Sequence, residues 1–305
     1  MSLLAVPHPD CCEFNQAIGS EPRLSELYDE SFYENQVAQS VRSARIYLKF
    51  LWRFFQPASV LDVGCGRGAW LKACHELGSK RLLGLDGDWN KKSLMIDSVI
   101  DFQSIDLNKP FSVPEKVELA MSLEVAEHLE PSAAPQFVKS LAKSSDMVLF
   151  SAAYTKQGGT NHINEQPHSY WAQLFAGHGF VPFDLFRPVF WGNEEVCFWY
   201  RQNVFLYIRR DTDPWSRIAT HGFKEMADIS FMNCVHPELY NRKTAEPPLP
   251  PTMNDESFTT ALKADPESAR GLMGCAIEIL VHYHGVKLTK QLVRRAFRKS
   301  RAAQR

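Results

Sequence analysis

The sequence lacks long apolar runs, a dominant charge and a repeated cysteine pattern. No window reaches the roughly 18 consecutive apolar residues that a membrane-spanning helix requires, and the longest candidate, MGCAIEILV, carries Glu278. With 34 basic and 35 acidic side chains the formal net charge is −1, so no global field attracts nucleic acid or a membrane surface. We therefore expect no transmembrane segment.

The cysteines give no sign of a zinc site, and the N-terminal segment gives no sign of a signal peptide. The seven cysteines are odd in number, and no pair has zinc-site spacing with a second pair to match it. The opening segment MSLLAVPHPDCCEF lacks the basic start and the long apolar core of a signal peptide. These features indicate reduced thiols in a soluble, cytoplasmic protein.

Seven short apolar runs occupy the middle of the chain, and helical segments separate most of them. The runs are SVLDVG, RLLGLD, SVIDFQSID, VELAMSL, DMVLFSAA, FVPFDLFRP and NVFLYIRR. The helical segments include RGAWLKACHEL, SAAPQFVKSLAKS and HSYWAQLFAGHG. This alternation predicts an α/β fold in which helices cover both faces of a mainly parallel sheet. Ligands bind such sheets at the carboxyl ends of the strands.

The flanking segments differ from this pattern and suggest three parts. Residues 1–45 are predicted to form a helical lid that contains Tyr28 and Tyr33, and residues 46–210 form the central domain. Residues 211–305 form an extension with a proline-rich linker and a terminal helix whose last third is basic. Three interpretations of the basic helix remain open: a solvated face, a phosphate-binding surface, or a membrane-docking surface.

A glycine-rich turn joins the first apolar run to a helix in VLDVGCGRGAW. Glycine permits positive φ angles and lets backbone approach a ligand closely, and the free N–H groups at the helix start can bond to it. Asp86 closes the second run about twenty residues later, where an acid suits a ribose diol. Asp106 and Leu107 close the third run. The alternative is that these acids only cap helices.

The motif D-V-G-C-G-x-G, the distant acid and the later D-L pair resemble class I S-adenosylmethionine-dependent methyltransferases over roughly residues 45–210. The resemblance implies a Rossmann-like, seven-stranded sheet whose last strand runs antiparallel. It also implies a donor site in which Asp62, Gly64, Cys65 and Gly66 serve the methionine end. Asp86 would then bind the ribose hydroxyls, and Asp106 with Leu107 the adenine.

The segment SLEVAEHLE follows the fourth run and places Glu124, Glu127 and His128 within five positions. If a helix begins there, the three side chains share one face, and a divalent cation would relieve the repulsion between the carboxylates. The segment GGTNHINEQPHSYW follows the fifth run and adds His162, Glu165 and His168.

The E-x-x-E-H pattern with a later histidine is similar to metal-dependent O-methyltransferases. This resemblance implies that Glu124, Glu127, His128 and His162 bind Mg²⁺, Mn²⁺, Fe²⁺ or Zn²⁺. His168 is an alternative to His162 as the fourth ligand. Two metal-free interpretations remain open. In one, His128 or His162, assisted by Glu127, is a general base; in the other, the acids merely favour a helix start.

The predicted function is an S-adenosylmethionine-dependent O-methyltransferase that acts on a hydroxyl of a small-molecule or sugar-type acceptor. The alternatives are RNA 2′-O-methylation, N- or C-methylation of a metabolite, and a non-catalytic donor-binding scaffold. Nucleic acid is not favoured because no RNA-binding module is recognisable. The aromatic side chains after the fifth run are expected to pack in the core rather than form an acceptor wall; they are Trp171, Trp191, Trp199 and Tyr200. The sequence does not indicate an oligomeric state.

Overall fold

A seven-stranded sheet organises the protein, and each strand arises from one of the seven predicted runs. The computed structural model describes the backbone of residues 30–244 and the side chains of residues 37–244. The strands are β1 (Ser59–Val63), β2 (Arg81–Asp86), β3 (Asp101–Ser104), β4 (Leu119–Leu123), β5 (Met147–Ser151), β6 (Phe180–Phe183) and β7 (Phe205–Arg209). All residues of β1, β4 and β5 are buried, which explains why these runs are apolar without alternation.

The strand order is β3-β2-β1-β4-β5-β7-β6. The first five strands of this order pair in parallel, whereas β7 runs antiparallel to both β5 and β6. The carboxyl ends of six strands and the amino end of β7 therefore lie at one edge of the sheet. The order changes direction between β1 and β4, where α/β sheets open a ligand crevice. The predicted fold class, including the antiparallel last strand, is confirmed.

Helices cover both faces of the sheet and divide the core into two apolar layers. The α-helices are α1 (Glu30–Leu51), α2 (Ala69–Glu76), α3 (Ala134–Ser144), α4 (His168–Ala176), α5 (Arg187–Phe190), α6 (Phe198–Asn203), α7 (Asp213–Thr220) and α8 (Pro237–Thr244). Leu48 and Trp70 belong to the layer that contains α1 and α2. Phe137 and Trp171 belong to the layer that contains α3 and α4. No helix among residues 30–244 has the length and apolar character that crossing a bilayer demands.

The first helix is continuous across residue 45, and its second half is attached to the domain. The Arg45 guanidinium donates hydrogen bonds of 2.6 and 2.7 Å to the Glu76 carboxylate. The buried Tyr47 hydroxyl donates to the Tyr200 carbonyl at 2.9 Å. Residues 211–244 also pack on the domain, where Ile218 and Met232 are buried. The division into three parts remains a prediction.

Three predicted features lie outside the described residues. They are most of the N-terminal lid with the side chains of Tyr28 and Tyr33, the proline-rich linker, and the basic terminal helix.

Candidate active site at the carboxyl edge of the sheet

The glycine-rich turn leaves β1 through three glycines with positive φ: Gly64 at 80°, Gly66 at 52° and Gly68 at 84°. A Cβ added at Gly64 would lie 2.3 Å from Cγ2 of Val125, so this position excludes any side chain. Gly66 has open space around it, and its requirement for glycine is conformational. The turn therefore combines a left-handed backbone with close packing against the loop after β4.

Asp86 holds this turn in place from the end of β2. Its Oδ2 accepts a hydrogen bond of 2.7 Å from the Gly66 N–H, and its Oδ1 accepts one of 2.7 Å from the Gly87 N–H. Asp62 lies buried on β1, and its burial, followed by the charge of Asp86, raises its pKa to about 8. The two acids thus differ: Asp86 is bonded to the turn, whereas Asp62 is protonated at neutral pH.

A cavity of about 740 Å³ opens at this edge. Its lining joins the glycine turn, the ends of β2 and β3, and the loop after β4; the residues are Gly64, Gly66, Asp86, Gly87, Asp88, Trp89, Ser104, Ile105, Asp106, Leu107, Asn108, Glu124, Val125, His128 and Leu129. Of the predicted donor-binding residues, only Asp62 and Cys65 do not line the cavity. The structure therefore brings five of the seven to one space.

Trp89 is a cavity residue that the sequence analysis missed. Its side chain is 77% exposed, and its ring covers Gly87, because a Cβ added at Gly87 would lie 2.1 Å from Cη2 of Trp89. The only sequence signal was an aromatic residue three positions after the acid of β2. Asp106, a predicted adenine-binding residue, has a side chain that is about half exposed, and its Oδ2 lies 3.1 Å from Nζ of Lys109.

The loop after β4 does not begin with the α-helix that would align the E-x-x-E-H side chains. Glu124 has φ 56° in the left-handed region, a 3₁₀ turn spans Ala126–His128, and α3 begins only at Ala134. The conditional expectation of one shared helical face is therefore wrong, because a left-handed residue stops the helix before it can form.

Glu127 is fully buried, and its carboxylate oxygens make no full hydrogen bond among the described residues, although the backbone N–H groups of Glu127 and Ala153 lie near enough to lower its pKa. Burial raises its pKa well above the ordinary value, and the nearby carboxylates of Glu124 and Glu165 add to this effect. An unpartnered buried carboxyl group is costly unless a proton or a cation compensates it.

The loop after β5 brings His162 to this carboxylate. The N–H groups of Ile163 and Asn164 each donate a 2.9 Å hydrogen bond to the Glu127 carbonyl, and Nδ2 of Asn164 donates to the Ala126 carbonyl at 3.1 Å. One potential ligand atom from each of Glu127, His128 and His162 then lies within 4.8 Å of the others.

Both imidazoles of this group contact an oxygen through Nδ1. Nδ1 of His162 lies 2.9 Å from Oε1 of Glu165, and Nδ1 of His128 lies 3.3 Å from the Asn161 carbonyl. Donation by Nδ1 leaves Nε2 as the nitrogen with a lone pair, which suits a metal ligand or a proton acceptor. Partial burial and the neighbouring His162 lower the pKa of His128.

Glu124 and His168 are not members of this group of three, although the charge of Glu124 raises the pKa of Glu127. Both Glu124 oxygens accept a bond of 3.1 Å from Nδ2 of Asn203, and Nε2 of Gln157 lies 3.4 Å from Oε2. His168 is buried, with Nδ1 2.8 Å from the Met232 carbonyl, and burial lowers its pKa to about 4. His162, not His168, is therefore the histidine that approaches Glu127.

The aromatic side chains after β5 are mostly core residues. Trp171 and Tyr200 are buried, and the Trp70 indole N–H donates to the Tyr200 hydroxyl at 3.3 Å. Trp191 and Trp199 are partly buried, the latter against the α1 layer. Core packing accounts for these rings, as the sequence analysis expected.

Comparison with known proteins identifies structural likeness only. No protein-family model matches the sequence, and no curated protein matches significantly. Human N-acetylserotonin methyltransferase in complex with S-adenosylmethionine is 17% identical, with a TM-score of 0.39 over 56% of this chain and 51% of that chain. This chain therefore spans about half the length of the human enzyme. Magnesium protoporphyrin IX methyltransferase from Synechocystis PCC 6803 with bound S-adenosylmethionine is 18% identical, with a TM-score of 0.41 over 57% and 80% of the two chains. By its own strand order and its antiparallel β7, this chain has the fold of the class I S-adenosylmethionine-dependent methyltransferases.

Proposed function

We propose that this protein transfers the methyl group of S-adenosylmethionine to a hydroxyl of a small-molecule or sugar-type acceptor. One observation carries the proposal: the glycine turn, Asp86 and His128 all line one cavity. A donor bound against the turn would direct its methionine end toward the loop after β4. His128 on that loop would then be a proton acceptor close to the methyl group.

The donor side of the proposal assigns each part of the ligand to a strand end. Asp86 suits the ribose hydroxyls, because its carboxylate lines the cavity and is held by two backbone N–H groups. Leu107 and Asp106 suit the adenine ring and its edge. The open space at Gly66 allows backbone to approach the methionine end. Methyl transfer is an in-line displacement at sulfur, so this positioning is the main catalytic contribution.

The acceptor side requires removal of a hydroxyl proton. Burial and the neighbouring His162 lower the pKa of His128, which favours its neutral imidazole, and His128 lines the cavity. Nε2 of His128 is then available as a general base, and the adjacent His162 is the second candidate for this role. The ring centroids of the two histidines are 4.8 Å apart.

The residues present also fit a divalent cation. Glu127, His128 and His162 would hold it, since the buried Glu127 carboxylate has no side-chain hydrogen-bond partner among the described residues and one ligand atom of each imidazole lies within 4.8 Å of it. The mixture of one carboxylate and two imidazoles favours Zn²⁺ or Fe²⁺ over Mg²⁺. Such a cation supplies Lewis acidity, which lowers the pKa of a hydroxyl and suits a vicinal diol.

Calorimetric titration with S-adenosylmethionine tests the donor site, with chelator and then with Zn²⁺, Mn²⁺ or Mg²⁺. We expect one donor per chain under both conditions. Metal analysis of the purified wild type is expected to give one ion, lost in Glu127→Gln and His128→Ala. The exposed Glu130, three residues beyond Glu127, gives the matched control Glu130→Gln, which should keep the ion.

Methyl transfer to catechol and to phenol then separates the two mechanisms. A preference for catechol that vanishes in Glu127→Gln supports the cation. Donor binding without any metal uptake would remove the cation from the proposal and leave His128 and His162 as base candidates. Absence of donor binding would refute the proposed function.

A further inference from the structure

Glu124 adopts a backbone conformation that is unusual for a long side chain. Its φ of 56° lies in the left-handed region, directly after β4. Non-glycine residues in this region are uncommon, and at a strand end they often mark functional sites. Glu124 lines the cavity together with Val125.

A buried amide holds the Glu124 carboxylate in place. Asn203 is fully buried, and its Nδ2 lies 3.1 Å from each Glu124 oxygen. Its Oδ1 lies 3.2 Å from Nε2 of the buried His168. Asn203 reaches this position because it precedes β7, whose antiparallel direction brings its amino end to the ligand edge. Burial raises the pKa of Glu124, and the hydrogen bonds from the Ser151 hydroxyl and the Asn203 amide counter this rise by favouring the ionised carboxylate.

The Glu124 carboxylate is not among the three ligand atoms that lie within 4.8 Å of one another, although it interacts electrostatically with Glu127 and His162. Its neighbour Val125 instead packs against the glycine turn, with Cγ2 2.3 Å from the position of a Gly64 Cβ. Glu124 therefore lies where the proposed donor would present its methionine end. That part of S-adenosylmethionine carries a sulfonium cation, whereas the product S-adenosylhomocysteine has a neutral sulfur.

Resting on the proposed function, we infer that the Glu124 carboxylate recognises the positive charge of the donor sulfonium, with Asn203 as its positioning residue. A carboxylate in a partly buried site attracts a cation more strongly than it would in water. Transfer of the methyl group as CH₃⁺ to the acceptor oxygen leaves the sulfur lone pair behind and removes the positive charge. The attraction is then lost, which favours release of the product over the donor.

The test compares the dissociation constants of S-adenosylmethionine and S-adenosylhomocysteine by calorimetry in the presence of chelator. Glu124→Gln should weaken donor binding about tenfold, equivalent to about 1.4 kcal/mol, and leave product binding unchanged. Asn203→Ala should likewise raise the ratio of the donor dissociation constant to the product dissociation constant. It also keeps the test decisive if Glu124→Gln does not fold. Glu130→Gln alters the same charge on an exposed site and should keep the wild-type ratio.

Two results would overturn the inference: an unchanged ratio in both variants, which includes an equal loss of both ligands, or loss of a stoichiometric metal from Glu124→Gln. The last result would instead assign Glu124 to the cation. A wild-type protein that binds neither ligand would refute the proposed function itself, whereas normal binding with an unchanged ratio refutes only the role of Glu124.

Discussion

The imidazole of His162 lies directly against Gly159, where an added Cβ would be 2.3 Å from Nε2 of the ring. The φ of Gly159 lies outside the positive range, so the requirement for glycine here is a requirement for space. His162 can turn toward Glu127 and His128 because this position has no side chain. Gly159, the second glycine of the pair, thus has a steric role in the loop after β5.

Gly159→Ala is expected to displace the His162 ring and to weaken binding of Zn²⁺ or Mn²⁺ by about tenfold or more, as changes behind a metal ligand typically do. Calorimetric metal titration measures the effect. Gly192→Ala is the matched control, because nothing lies within 4 Å of a Cβ at Gly192. Equal metal affinity in the two variants would contradict the steric role.

Glu165 is expected to orient His162, since its Oε1 contacts both Nδ1 of His162 at 2.9 Å and the Gly158 N–H at 2.6 Å. Glu165→Ala should reduce metal affinity about 10- to 100-fold. Glu165→Gln, which keeps an acceptor oxygen, should recover part of the loss. The same titration decides, and a glutamine variant as weak as the alanine variant would argue against a hydrogen-bonding role.

Asp86→Asn is expected to weaken S-adenosylmethionine binding by about 2 kcal/mol, or roughly thirtyfold. An amide oxygen can replace only one of the two acceptors that bind the Gly66 and Gly87 N–H groups at 2.7 Å. The exposed Trp89 ring lines the same cavity, so its fluorescence offers a second readout beside calorimetry. Asp101→Asn, on an exposed side chain of β3, should bind like wild type.

The free energy of unfolding is expected to fall as pH rises from about 4 to 8, because of the titration of Asp62. Its pKa is about 8 in the folded protein, because of burial and the charge of Asp86, against about 3.9 in an unfolded chain. Between these values the folded state keeps a proton that the unfolded state has lost, so rising pH favours unfolding by up to about 1.4 kcal/mol per unit. Below pH 4 the protonated Asp62 makes its full contribution to the free energy of unfolding.

Urea unfolding of the ligand-free protein at pH 5, 6.5 and 8 measures this dependence. The Asp62→Asn variant cannot ionise at this position, and the difference in unfolding free energy between variant and wild type should grow in favour of the variant with pH. A constant difference across the three pH values would show that Asp62 is ionised in the folded state.

The seven strands were predictable because a buried parallel strand requires a continuous apolar run, and β1, β4 and β5 each have one. The positions of Gly64, Gly66 and Asp86 at the ligand edge follow from the same topology, since carboxyl ends of parallel strands meet there. His162 could be assigned to that edge for the same reason. Neither its approach to Glu127 nor the choice between His162 and His168 followed from spacing.

Sequence alone therefore determined the fold, the glycine turn and the group of acids and histidines near it, because periodicity and strand direction are local properties. Tertiary structure decided which side chains meet. The left-handed Glu124 removed the expected helix, and Asn203, about eighty residues away in sequence, bound its carboxylate because β7 is antiparallel. Such contacts depend on loop conformation and on the packing of distant elements, which no short sequence pattern contains.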